Sequence, residues 1–262
     1  MNRTLPLFLL PVLWIALAGP VAAAVDPAEA GRAIMNRYAD AIVGVELVVT
    51  IKVKVGDREQ PPREQRIEVN ATVISPQGLA VTTLAAVDPQ VAFEALRASQ
   101  PGGRGPELVG TDFKEVKLRL ADGKEVAAKF VLKDIDLDLA FIAPESSGDA
   151  KEFPSVRLGE AAEGEVLGSY YYVARAPKTL QRVPIIRATT VAGIVEKPRR
   201  FFLMTEQSPG TPVFDAAGRI LGITVQNFAN GRQTGFVVLP AADIAEMARQ
   251  AVPAPAAPAN GN

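Results

Sequence analysis

From residue 42 onward the chain is built of short runs in which apolar residues occupy every second position. Ile51, Val53 and Val55 alternate with Lys52 and Lys54, the mark of a strand with one wet face. Strands are predicted over 67–74 and 79–83, joined by Ser75-Pro76-Gln77-Gly78. Proline fixes φ early in such a turn and glycine closes it, so the pair reads as a hairpin. A second hairpin follows: Val116, Leu118 and Leu120 alternate with Lys117 and Arg119, Asp122-Gly123 turns the chain, and 126–132 returns. One more short strand is predicted over 137–142. After a polar stretch at 143–155 the rhythm resumes, with strands predicted over 168–174, 185–195, 201–205, 212–214, 220–225 and 235–239.

Helical spacing is confined to a few places. Asp26 precedes a predicted helix over 27–38, with Pro27 in its first turn and Ala30, Ile34 and Tyr38 on one face. Residues 91–98 are helix-like, and 241–251 form a closing helix with Ile244, Met247 and Ala248 on one side. Residues 56–65 and 101–106 read as loops. Residues 1–24 resemble an export signal: Arg3, an apolar run over 5–18, then Ala22-Ala23-Ala24, with cleavage expected after Ala24 and an uncleaved anchor as the rival. The expected organisation is a leader (1–24), an N-terminal helix with a first β unit (25–145), a second β unit with the C-terminal helix (146–251) and a disordered Pro/Ala tail (252–262). Many short strands in two halves indicate an all-β barrel or sandwich protein.

Composition narrows the chemistry. A hydrophobic fraction of 48% and a charged fraction of 22% are ordinary for a globular chain. The net charge is −1 and aromatics make up 6%, so neither nucleic acid nor an anionic membrane surface is expected as a partner, and no membrane span is expected once the leader is removed. Cysteine and histidine are both absent. That removes disulfides, thiolate chemistry, the commonest general base and the commonest metal ligand together. No cofactor and no metal site are expected. Asn70-Ala71-Thr72 fits a glycosylation sequon but lies in mid-strand, which argues for coincidence.

The order of local signatures resembles the trypsin-like protease domain of the HtrA/Deg family, over roughly residues 34–250. Those proteins carry a strand, Ser-Pro-Asp-Gly, and a strand running into Thr-Asn-Asn-His-Val-Val. The similar stretch here is Ile74-Ser75-Pro76-Gln77-Gly78-Leu79-Ala80-Val81-Thr82-Thr83-Leu84-Ala85-Ala86-Val87. The family motif Asp-x-x-x-Asp-Leu-Ala-Val-Leu is matched by Asp134-Ile135-Asp136-Leu137-Asp138-Leu139-Ala140-Phe141-Ile142. Leu158-Gly159, Ala192-Gly193-Ile194-Val195, the segment from Pro212 to Ile223 and Gly235-Phe236-Val237-Val238-Leu239-Pro240 follow in the family's order. The resemblance implies two Greek-key β-barrels of the trypsin-like serine protease type with a C-terminal helix. Little chain follows that helix, so the PDZ domain of many relatives is not expected.

The same resemblance places the triad. Its imidazole position falls on Ala85 and its carboxylate position on Asp138, which without an imidazole reads as an aspartate held by backbone amides. Active relatives have Gly-Asn-Ser-Gly-Gly-Pro where this chain has Gln207-Ser208-Pro209-Gly210-Thr211-Pro212. The serine position therefore falls on Pro209, or on Ser208 with a one-residue slip. Proline offers neither a hydroxyl nor an N–H, and the loop that builds the oxyanion hole looks shortened. The expectation is an exported pseudoprotease with no intact catalytic set, acting outside the cytoplasm on a protein or peptide partner in the inter-barrel cleft. Two alternatives stand beside it: an unconventional endopeptidase using Ser208, and a structural association module using 91–106.

Overall fold

Four consecutive apolar residues, Leu139-Ala140-Phe141-Ile142, break the alternation seen elsewhere, and their surroundings explain it. All four are fully buried. Ala140 and Ile142 point into one barrel, whereas Leu139 and Phe141 point into a second apolar cluster shared by both halves. A strand covered on both faces has no wet side to mark with polar residues. Tyr171 and Val173 likewise join the shared cluster while Tyr170, Tyr172 and Ala174 fill the other barrel.

The structure is a computed structural model describing residues 26–100, 105–145, 152–229 and 231–251. The expected leader, the expected tail, residues 101–104 and part of the expected boundary stretch (146–151) lie outside it. The first half comprises α1 (Pro27–Tyr38), β1 (Ile42–Val55), β2 (Arg58–Glu59), β3 (Arg63–Val73), β4 (Ala80–Thr83), α2 (Leu84–Val87), α3 (Pro89–Ser99), β5 (Glu107–Arg119), β6 (Glu125–Asp134) and β7 (Leu139–Pro144). The second comprises β8 (Ser169–Arg175), β9 (Pro184–Val195), β10 (Phe201–Met204), β11 (Pro212–Asp215), β12 (Ile220–Ala229), β13 (Arg232–Pro240) and α4 (Ala241–Ala251).

Each half closes into an antiparallel barrel. Strands run β1-β3-β4-β7-β6-β5 and back to β1 in the first, with β2 appended to β1, and β8-β9-β10-β13-β12-β11 and back to β8 in the second. Counted within each barrel, the six strands follow one order: first, second, third, sixth, fifth, fourth. That is the two-barrel, trypsin-like architecture with a closing helix which the sequence led us to expect.

The terminal helices cross over. Asp26 caps α1 by accepting from the Ala28 N–H (3.0 Å), and α1 lies against the second barrel. There the Tyr171 hydroxyl donates to the Pro27 carbonyl (3.0 Å), Tyr38 stacks on Phe214 with ring centres 4.3 Å apart, and the Tyr38 hydroxyl donates to the Gly218 carbonyl (2.9 Å). In return α4 buries Ile244 and Ala251 in the shared cluster beside Val131 and Leu132 of the first barrel. Asn70, the expected coincidental sequon, also ties the halves: its amide donates to the Arg175 carbonyl (3.2 Å) and accepts the Arg175 N–H (3.1 Å).

Some boundaries move. The segment read as a loop over 56–65 contains β2 and the start of β3, because β1, β3 and β5 extend well past the barrel wall as a twisted ribbon. Strand β5 begins at Glu107 rather than near Val116. Its two bulges, opposite Val48/Val49 and Lys52/Val53, interrupt the period-two signal there. Among the described residues no helix is long and apolar enough to cross a membrane.

Candidate functional site at the barrel interface

Asp138 ends the tight turn between β6 and β7. The turn is held by the Asp134 carboxylate, which accepts the Leu137 N–H (2.8 Å), and Asp138 takes a left-handed backbone with φ 54°. Aspartate tolerates that region better than most side chains. Its carboxylate is only 2% exposed and its neighbours are all donors. Oδ1 accepts the Ala85 N–H (2.7 Å); Oδ2 accepts the Gln226 N–H (2.7 Å) and the Thr83 hydroxyl. The Asp138 carbonyl accepts the Leu84 N–H (2.9 Å). Burial pushes the carboxyl up to about 6, against the opposing pull of the Thr83, Ala85 and Gln226 donors. Gln226 belongs to β12, so this one side chain ties the two barrels together.

Ala85 lies in the four-residue helix α2, directly after Thr83, and is half-buried against the first-barrel core. Its side chain offers no proton acceptor; its contribution to Asp138 is the backbone N–H alone.

The 207–212 loop is short, and the amides of Gly210 and Thr211 are already paired. Gly210 takes φ 72° and donates to the Thr224 carbonyl (2.9 Å). Thr211 turns both its N–H (3.3 Å) and its hydroxyl (2.6 Å) onto the Ser208 carbonyl. Pro209 has no N–H to give. The loop is pinned to the first barrel by the Thr72 hydroxyl, which donates to the Gly210 carbonyl (2.9 Å). A Cβ at Gly210 would fall 2.2 Å from the Asn70 carbonyl oxygen, so only glycine fits. Pro209, Gly210 and Thr211 thus present no free main-chain donor for a developing oxyanion. Among the described residues, no lysine or carboxylate hydrogen-bonds the Ser208 hydroxyl.

Ala85 and Gln226 also line a groove of about 820 Å³ between the halves, walled by α3 on one side and by β12 and β13 on the other. Thr224 turns its N–H and C=O towards the 210–211 loop, and Gln226 turns its N–H towards Asp138. Strand alternation carries the Gln226 carbonyl and the N–H and C=O of Phe228 to that same side. Strand β11 pairs with β12 only as far as Ile223, so beyond it this edge has no neighbouring strand among the described residues.

Thr83, Gln226, Thr72 and Gly210 were not singled out from the sequence. Thr83 lies inside the quoted motif, two residues before Ala85, and Gln226 continues the 220–225 strand by one residue. Their roles depend on contacts more than 50 residues apart in the chain. No group of three or more acidic residues is placed to hold a metal ion among the described residues.

A family model described as "Trypsin-like peptidase domain" matches residues 69–223, more than half of the chain, from within β3 to within β12. No curated protein matches the sequence. With the barrel order, the Asp138 turn and the 207–212 loop falling inside that match or beside it, the chain belongs to the trypsin-like peptidase domain family.

Proposed function

We propose that this domain is an exported, HtrA/Deg-like pseudoprotease that holds an extended peptide or a protein partner between its barrels without cutting it. The observation that carries the reading is the state of the proton-relay position. The chain contains no imidazole, Ala85 stands where one would be, and Asp138 spends its oxygens on Thr83, Ala85 and Gln226. Triad chemistry requires a base that takes the nucleophile's proton and a carboxylate that orients that base. Pro209 offers neither a hydroxyl nor an N–H, and the Gly210 and Thr211 amides are already paired.

The unpaired edge of β12 supports the binding half of the reading. Main-chain donors and acceptors at an open sheet edge pair readily with an extended segment, which adds to the sheet as a further strand. The export-signal pattern of residues 1–24 supports a site of action outside the cytoplasm.

Purified protein incubated with unfolded casein and with a fluorophosphonate probe is expected to leave casein intact and remain unlabelled. Probe labelling that disappears in Ser208→Ala would overturn the non-catalytic reading in favour of an unconventional serine endopeptidase.

A further inference from the structure

The wall that α3 builds gives the groove a chemical preference. Asp88 starts this helix, one oxygen accepting the Gln90 N–H (2.9 Å) and the other the Lys133 ammonium (2.8 Å). At its far end the Arg232 Nε donates to the Ala98 carbonyl (3.0 Å), and a Cβ placed on Gly231 would lie 3.5 Å from the Ala98 Cβ. Helix α3 is therefore fastened at one end to the first barrel and at the other to the β12–β13 hairpin of the second.

The residues it turns to the groove are Ala92, Ala95, Leu96 and, at its end, Ser99, so this wall is mainly apolar. Ala92 and Ala95 leave space, Ala85 leaves more, and Leu96 projects with 44% of its surface exposed, on the wall that faces Phe228. An exposed large apolar side chain beside an unpaired strand edge is an anchor point for a partner's side chain. Charge adds a second selector. Arg232 is the groove's single charged lining residue, and among the described residues no carboxylate pairs with it.

From these features we infer that the groove selects extended peptide segments in which a large apolar side chain, seated between Leu96 and Phe228, is flanked by a carboxylate that meets Arg232. The inference rests on the proposal that the cleft binds peptide, and names the class of peptide. Strand pairing along β12 supplies sequence-independent affinity, the alanine-floored space takes the apolar group, and Arg232 sets the sign of the flanking charge.

Three fluorescein-labelled, amidated peptides of equal length test it by anisotropy at low salt. One carries a central Leu with Asp on both flanks, one replaces each Asp by Lys, and one replaces Leu by Ser. Replacing Leu is expected to weaken binding roughly tenfold or more, the loss of one buried apolar side chain. Replacing Asp by Lys is expected to weaken it about fivefold, with the difference fading at high salt. Leu96→Asp should abolish the preference for Leu. Arg232→Glu should invert the charge preference, so that the Lys peptide becomes the tighter ligand, a gain that misfolding does not produce. Peptides that bind wild type but ignore both substitutions would overturn the inference while leaving cleft binding intact. Failure of all three to bind wild type would overturn both.

Discussion

Asp138 is a buried carboxylate whose oxygens accept from Thr83, Ala85 and Gln226. Its ordinary value lies near 4 and its value in the folded chain near 6. The folded state therefore holds the proton more tightly than the unfolded chain between those limits. Asp138's contribution to stability is fully present below about pH 4 and is lost as pH rises through 6. The expected size is about 2–3 kcal/mol, and urea midpoints across pH 4–7, compared with those of Asp138→Asn, measure it. A profile for the wild type that runs parallel to that of the variant would contradict the assignment. Gly210 is the other decisive residue. Its left-handed backbone and the 2.2 Å approach of Asn70 mean that Gly210→Ala must displace the loop from the first barrel. A loss of about 3 kcal/mol or more is expected, read as a lowered thermal midpoint.

Among the elements, α1 shows how a modest sequence signal becomes a structural commitment. Its fourth-residue spacing of Ala30, Ile34 and Tyr38 correctly predicted a one-sided helix, but not which barrel would receive it. The Tyr38 ring stacks on Phe214 and its hydroxyl reaches Gly218, both in the second barrel. Tyr38→Phe is expected to cost about 1 kcal/mol, one buried hydrogen bond, and Tyr38→Ala about 3–5 kcal/mol, both measurable by chemical denaturation. Helices 27–38 and 241–251 and most strands were legible because turns and periodicity are local. Strand β1 was legible to Val55, but the outer parts of β3 and β5 that pair with it were not, since bulges in β5 disturb its alternation. Ala85 and Asp138 were found from motif order alone, whereas Thr83 and Gln226 became visible only once folding brought them to the same carboxylate. The 207–212 loop stayed ambiguous in sequence because Ser208 and Pro209 are neighbours. Its hydrogen bonds decide what each amide can offer.

On the scale of the whole molecule, the barrels share more than a surface. The cluster holding Leu139, Phe141, Phe214 and Ile223 belongs to both, and the ion pairs of Arg182 with Glu46 and Glu68 reach across from the second barrel to the first. Partly exposed pairs of this kind contribute little individually, so the apolar cluster dominates the association. The crossed helices add a further property. Because α1 precedes the first barrel yet rests on the second, and α4 follows the second yet reaches the first, covalent continuity between the halves is not what keeps them together. A protease site engineered between residues 145 and 152, once cut, should leave two fragments that co-elute on size exclusion as one particle and separate only in denaturant. A molecule joined in this way survives a broken backbone, and a single nick in the connector would leave its groove intact.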